Sequence, residues 1–424
     1  MEKVVVTGVG MVTSLGATAA ETYSALSAGN TGIRSVSGLD PQTFGYRMAA
    51  QIRHMDPSDV VIHPRDARVM RLQGLMLMKA AREALVNGDL DPCAVGDSSV
   101  GLFVGMGHLD YEFEELLPAI RVCLDRDGWF NHDAFFSSGY REIHPLWPLS
   151  ILNNMTLCQL GITFGIKGEN AVFAPYGDAG ARAVAEGMHA IREGKAAAAL
   201  AGGVSEKISP LSLTRNSSSD LLSTDPPLMQ KACISSCDEG TGPVLGEGCG
   251  VMVLESRVGA EKRGVPFLAE VSGFGSAVER QGERPWPTSG AVQRAMEKAV
   301  TDAGINPTSV DLIIAHGDGT PGDRNENDAI RRLFSDAGRR IVAYASKGAL
   351  GDLVAASPVV DAILGVHVIQ KGTIPPTLPV GRSEYPPPLN LICEKAQVKS
   401  PEHVLINTRG HQGQSASLVI SACR

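Results

Sequence analysis

Residues able to do chemistry sit in a few short motifs of this 424-residue chain. Residues 315–323, AHGDGTPGD, place His316 directly after an apolar run, Val310 to Ala315, of the kind a buried strand needs. Residues 345–356, ASKGALGDLVAA, put Lys347 and Asp352 after a second such run, and residues 407–417, NTRGHQGQSAS, put His411 after a third. A lone histidine after a strand is more often structural than catalytic. The fourth motif is the turn Pro175-Tyr176-Gly177-Asp178 between Ala171-Val172-Phe173 and a helical pattern. A nucleophile at a helix N-terminus has its pKa lowered by the dipole, and free N–H groups there hold an oxyanion. Tyr176 and Asp178 are candidates for that place, yet neither has a base beside it in sequence, and Asp178 also reads as an N-cap. Residues 240–250, GTGPVLGEGCG, imitate a phosphate loop but carry no lysine and lead into a strand, Val251 to Glu255, which argues against phosphate binding.

The elements that position these motifs alternate between strand and helix. Ala181, Val184, Ala185, Met188 and Ile191 recur at helical spacing, opposite Arg182, Glu186, His189 and Arg192. This helix is so rich in Ala and Gly that it is expected to lie against neighbouring backbone in the middle of the molecule. Val4 to Val12, Val100 to Gly107 and Ala197 to Ala201 read as strands, and 66–85 and 110–123 as amphipathic helices. Residues 134–168 read as irregular. The second half repeats the order of the first: strand 267–274, helix 290–303, strand 310–315, strand 341–345, a helix after Gly351, then strands 403–407 and 416–420. Glu261 to Gly264 is a short polar crossover.

Composition bounds the partners. Net charge is −8, and no Lys/Arg block marks a nucleic-acid or anionic-membrane surface. No secretory leader pattern opens the chain and no apolar run reaches the ~20 residues of a membrane span, so a cytoplasmic protein is expected. The eight cysteines lack framework or zinc spacing, Cys233 and Cys237 being the closest pair. Buried free thiols, no metal and no cofactor are the expectation.

These motifs resemble those of the β-ketoacyl synthases, the condensing enzymes of fatty acid and polyketide synthesis. The resemblance covers nearly the whole chain, starting with VVVTGVGMVTSLG at 4–16. It implies an α/β thiolase-like fold, two similar βαβαβ-type halves (1–258 and 259–424) stacked as a five-layered αβαβα sandwich. The family's Cys-x-Ser-Gly-Ala elbow falls on residues 177–181, which puts Gly177 at the nucleophile. His316 falls on the first catalytic His of AHGTGTPxxD, with Asp318 in place of a Thr. Lys347 is retained from SxKSxxGHxxGA, and Asp352 stands at the second His. A carboxylate there would repel a developing enolate, or merely cap the next helix. NSFGFGGTNAS aligns with 407–417, and its gating Phe becomes His411.

Loss of the nucleophile and of one His argues against condensation by this chain. It looks like a chain length factor, the Cys-less relative that pairs with an active ketosynthase in type II polyketide systems, though members commonly carry Gln rather than Gly at the Cys position. The implied partners are a ketosynthase in a heterodimer, an acyl carrier protein and the growing acyl chain. Val172, Phe173 and Pro175 are the expected interface. Tyr111, Phe113, Leu116 and Ile120 are the expected tunnel wall, with Phe113, Leu116 and Ile120 sharing a helix face and Tyr111 off it. Two rivals are an acyltransferase or hydrolase using Asp178, His316 or Lys347, and a non-catalytic acyl-binding homodimer.

Overall fold

The computed structural model describes residues 2–38, 48–53, 55–56, 60, 70–95, 99–217, 242–280, 282, 285–334, 341–378, 389–392 and 396–423. The start expected for the first amphipathic helix at 66–69, the Cys233/Cys237 pair and residues 240–241 lie outside them. Runs of Val, Ile, Leu, Ala and Gly form the strands of one sheet: β1 (Val4–Thr13), β2 (Val100–Met106), β3 (Asn170–Phe173), β4 (Ala198–Val204), β5 (Gly248–Ser256), β6 (Ala269–Val278), β7 (Leu312–Ile314), β8 (Ile341–Tyr344), β9 (Leu389–Leu391), β10 (His403–Arg409) and β11 (Gln414–Ser421).

The spatial order is β3-β2-β4-β5-β1 followed by β6-β11-β10-β7-β8, with β9 at the far edge. Read outward from the join, β1-β5-β4-β2-β3 and β6-β11-β10-β7-β8 are the same permutation. Parallel and antiparallel pairs fall in the same places in both halves. The order of elements read in the two halves is therefore a repeat of topology. The halves meet where β1 pairs with β6 at Val5–Glu270 and Val6–Ala269.

Helices among the described residues make the remaining layers. Helices α1 (Leu72–Asn87) and α2 (Asn153–Phe164) cover the outer face of the first half. Helices α3 (Ala179–Arg192) and α6 (Ser357–Lys371) fill the centre, against residues of both halves. Helices α4 (Ser289–Asp302) and α5 (Gly322–Phe334) cover the second half. This is the five-layered αβαβα arrangement. One stretch, Val354–Lys371, is long and apolar enough to cross a membrane by length and composition, but 72% of it is buried inside the molecule, as suits a core helix.

The region between β2 and β3 differs from expectation. Residues 134–168 hold helices at His132–Ser137 and Trp147–Ile151 as well as α2, whose Thr156, Leu157 and Leu160 are buried. Prolines 145 and 148 break the apolar period into pieces too short to read. Nor do residues 110–123 form one helix. Phe113–Glu115 is a 3₁₀ turn, and a separate helix runs Leu117–Val122 with Pro118 in its first turn, where its missing N–H costs nothing. The crossover into the second half is also helical, Arg257–Arg263, capped by the Ser256 side chain and ended by Gly264 at φ 71°. Among the described cysteines Cys123 and Cys249 are buried, but Cys93 and Cys158 are exposed.

Helix α3 does lie against backbone. A Cβ at Gly180 would stand 2.3 Å from the Ala355 carbonyl oxygen and 2.8 Å from a Val359 methyl. In an exposed helix Gly→Ala gains roughly 1 kcal/mol; here overpacking, roughly 1–3 kcal/mol, opposes it and the obstacle is a carbonyl that side-chain repacking cannot move. Gly180→Ala is expected to lower the urea midpoint; a raised midpoint would show that the centre yields.

Candidate functional site

Strand β3 leads through a cis Ala174–Pro175 peptide to Gly177 and the start of α3. Asp178 occupies the N-cap position, but its side chain caps no N–H; instead its Oδ2 accepts from Arg182 Nε at 2.5 Å. Gly177 is buried. A Cβ there would lie 2.2 Å from the carbonyl oxygen of Arg409 and 3.8 Å from Thr408 Oγ1. Thr408 Oγ1 also donates to the Gly177 carbonyl at 2.7 Å. The end of β10 therefore takes the space that a side chain at 177 would need.

His316, just beyond β7, is buried with both ring nitrogens engaged. The Arg409 backbone N–H donates to Nδ1 at 3.2 Å, and Lys347 Nζ lies 3.3 Å from the same atom. Nδ1 is thus the acceptor, and the ring proton sits on Nε2, which faces Asp318 Oδ2 at 3.2 Å. Burial, then Lys347 and Arg409, lowers the His316 pKa to about 4, so the imidazole is neutral at pH 7. Lys347 Nζ also donates to the His316 carbonyl at 2.9 Å.

Arg409 is the residue that the sequence did not single out. Its guanidinium is fully enclosed, with Nη2 donating to Asp318 Oδ1 at 2.8 Å and to Asp323 Oδ1. Burial opposes its charge, but Asp318, Asp323 and Glu326 overcome this and raise its pKa. Burial likewise opposes the Asp318 charge, while Arg409 and His316 hold its pKa well below the usual range. Asp323, sharing one guanidinium with Asp318, is pushed up to about 8, chiefly by burial. The available signal was charge balance. The two departures at 318 and 409 put an acid and a base where the family motifs quoted above have Thr and Phe.

Asp352 Oδ1 accepts from Val354 N–H and from Ser357 Oγ, both at 3.1 Å, and lies 4.0 Å from Lys347 Nζ. It is not the N-cap of the helical segments that follow, where Leu353 and Ala356 hold that position without a side-chain cap. His411 is half-buried in the turn between β10 and β11. The structure brings Gly177, His316 and Lys347 together through Arg409 and Thr408, and brings Asp352 to Lys347.

Tyr111, Phe113, Leu116 and Ile120 lie on the excursion between β2 and β3. Because 110–112 is not helical, Tyr111 and Phe113 meet edge-on at 5.4 Å between ring centroids, contrary to their expected separation. Phe113 is 46% exposed, not a packed floor. Tyr111 also touches Trp147. A second buried polar cluster anchors the base of this excursion. Arg215 bonds Asp110 at 2.6 Å and Glu206 at 3.0 Å, and Ser209 donates to Asp110. Burial raises the Glu206 pKa to about 7. Val172 and Phe173 are half-buried on β3, which among the described residues pairs only with β2 and lies at the sheet edge; Pro175 is half-buried beyond it. A cavity of about 360 Å³, walled by Leu102, Leu157, Cys158, Ile162 and Ile166, opens at the Asn170 end of β3 rather than at Gly177. Among the described residues, no group of three or more His, Cys, Asp or Glu is placed to hold a metal ion.

Residues 1–260 match the family described as Beta-ketoacyl synthase, N-terminal domain, and residues 268–381 match Beta-ketoacyl synthase, C-terminal domain. The chain belongs to the β-ketoacyl synthase family. It is similar to 3-oxoacyl-[acyl-carrier-protein] synthase 2 of Staphylococcus aureus (strain COL), 27% identical over 420 residues and covering 99% of this chain and 98% of that one. The same-named protein of Coxiella burnetii is 29% identical over 426 residues, covering 99% of each. Among solved structures, the ishigamide ketosynthase/chain length factor superposes with a TM-score of 0.85 at 25% identity over 100% of both chains. A β-ketoacyl synthase from Burkholderia phymatum STM815 gives 0.86 at 24%, also over 100% of both.

The His316 environment sets a pH dependence. The folded protein keeps this ring neutral to about pH 4, whereas the unfolded chain takes up the proton near pH 6.5. Between those values the unfolded state binds more protons, so the His316 contribution falls as pH falls, by about 3 kcal/mol in all. His367, also lowered to about 4 by burial, acts in the same direction. Asp323, Asp361 and Glu206, raised to about 8, 6 and 7, act in the opposite one. The difference between wild type and His316→Gln isolates the ring. Urea unfolding from pH 7 to 4 is expected to show the wild type losing more stability than the variant; parallel curves would mean a ring that charges freely when folded.

Proposed function

We propose that this chain is a catalytically silent ketosynthase-like subunit, a chain length factor in role. It pairs with an active ketosynthase and shapes the cavity where the acyl chain lies during decarboxylative condensation of malonyl-carrier protein. The observation that carries this reading is Gly177. The family nucleophile is absent, and the Arg409 carbonyl fills the space its side chain would use. Asp352 does not replace the second His as a donor, because at neutral pH a carboxylate only accepts and this one is engaged by Val354, Ser357 and Lys347. The synthase relatives share the scaffold; the departures at 177 and 352 separate this chain from their activity.

A partner is supported by the surface. Phe113, Val122, Leu124, Trp129, Phe136 and Ile162 are among the exposed large apolar residues, and all lie on the excursion between β2 and edge strand β3. Apolar patches of this kind mark interaction sites, and a stable obligate interface needs roughly 2,000 Å² or more. The likeness to a ketosynthase/chain length factor structure supports a ketosynthase as the type of partner. Tyr111, Phe113, Leu116 and Ile120 are the proposed wall of the shared tunnel, and His411 the proposed gate position. An acyl carrier protein delivers the chain, in the cytoplasm.

The purified chain, incubated with acyl- and malonyl-carrier protein, is expected to give no ketoacyl product, and product is expected to form once the cognate ketosynthase is added. Product from the chain alone would sink the silent-subunit reading and favour an active condensing enzyme. For the interface, Phe173→Asp is expected to abolish copurification with the ketosynthase, because a charge buried there without a partner costs several kcal/mol, of order 3–5. A full yield of complex would move the interface off β3.

A further inference from the structure

We propose that Arg409 and Asp318 act together as a built-in plug of the condensing site, so that silence is held in place by a coupled pair and not by the missing thiol alone. The inference rests on the silent-subunit reading for its biological meaning.

One residue, Arg409, touches the site with three different groups. Its backbone carbonyl stands where a side chain at 177 would begin. Its backbone N–H donates to His316 Nδ1 at 3.2 Å. Its guanidinium bonds Asp318 and Asp323. Asp318 closes the other side of the ring, with Oδ2 3.2 Å from His316 Nε2. Asp318 is itself fixed by Thr320, whose N–H and Oγ1 donate to Oδ1 at 3.0 and 2.7 Å. The ring therefore has no nitrogen left to offer a thioester carbonyl. The two side chains stand where the family motifs quoted above have Phe and Thr, neither of which carries charge. Asp318 without Arg409 would be a buried carboxylate lacking its cation, which is strongly disfavoured; Arg409 supplies that cation and is also held by Asp323. The pair spans 91 residues of sequence, so the coupling belongs to the fold.

The test compares wild type, G177C, D318T/R409F and G177C/D318T/R409F, each checked for native circular dichroism. Iodoacetamide labelling of residue 177 is read by mass spectrometry, normalised to the urea-unfolded rate. The triple variant is expected to label at least about tenfold faster than G177C, since reactivity follows thiol access. Equal rates would overturn the plug. If G177C does not fold, the decision passes to diethyl pyrocarbonate modification of His316. Wild type and Asp318→Asn, which still accepts the Nε2 proton, are expected to be protected, and D318T/R409F modified. Protection in a folded D318T/R409F would overturn the proposal. Condensation by the wild-type chain alone would instead overturn the silent-subunit reading and leave these comparisons standing.

Discussion

A single buried guanidinium organises the centre of this molecule. Arg409 pairs with Asp318 and Asp323, and all three side chains are buried. Removing one member of such a pair costs about 3–5 kcal/mol, because the survivor is left charged and unsolvated. Against a typical net stability of about 5–15 kcal/mol, that is a large share. The same residue meets His316 through its backbone N–H and the place at 177 through its backbone carbonyl.

The scaffold permits so polar a centre because apolar layers enclose it. Helices α3 and α6 pack between the halves, and glycine at 180 lets backbone approach backbone. His316, Lys347 and Arg409 follow the C-terminal ends of β7, β8 and β10 or end them, and Gly177 follows β3. Repetition of one strand order in both halves brings those ends to one place. A chemical site on this fold is the meeting of several strand termini, so a change at one terminus is felt at the others.

Much of this was legible in the sequence. Strands and the helices α3, α4 and α6 were, because their apolar periods run unbroken; so was the family, because its motifs sit at strand ends with little local variation. The excursion between β2 and β3 was not. Pro118, Pro145 and Pro148 cut its helices short, and the Tyr111–Phe113 contact depends on a 3₁₀ turn that no period announces. Within the site, Gly177 and Asp352 stood out because they replace reacting groups. Arg409 did not, since its meaning lies in partners 86 and 91 residues away and a motif read in isolation contains no partner. The capping role of Asp178 failed for a local reason: Arg182, one turn on, competes for the carboxylate.

The place of β1 has a consequence for synthesis on the ribosome. Strand β1 is central, pairing with β5 from Val4–Ser256 to Thr13–Gly248 and with β6 at Ala269 and Glu270. At roughly 5–20 residues per second, its first partner is translated about 10–50 s after it. For that interval a ten-residue strand that is wholly buried in the folded protein has no native neighbour in its sheet. The sheet therefore cannot be assembled in the order of synthesis: pairing of β1 waits until β5 has been made, just before the crossover at 257–263.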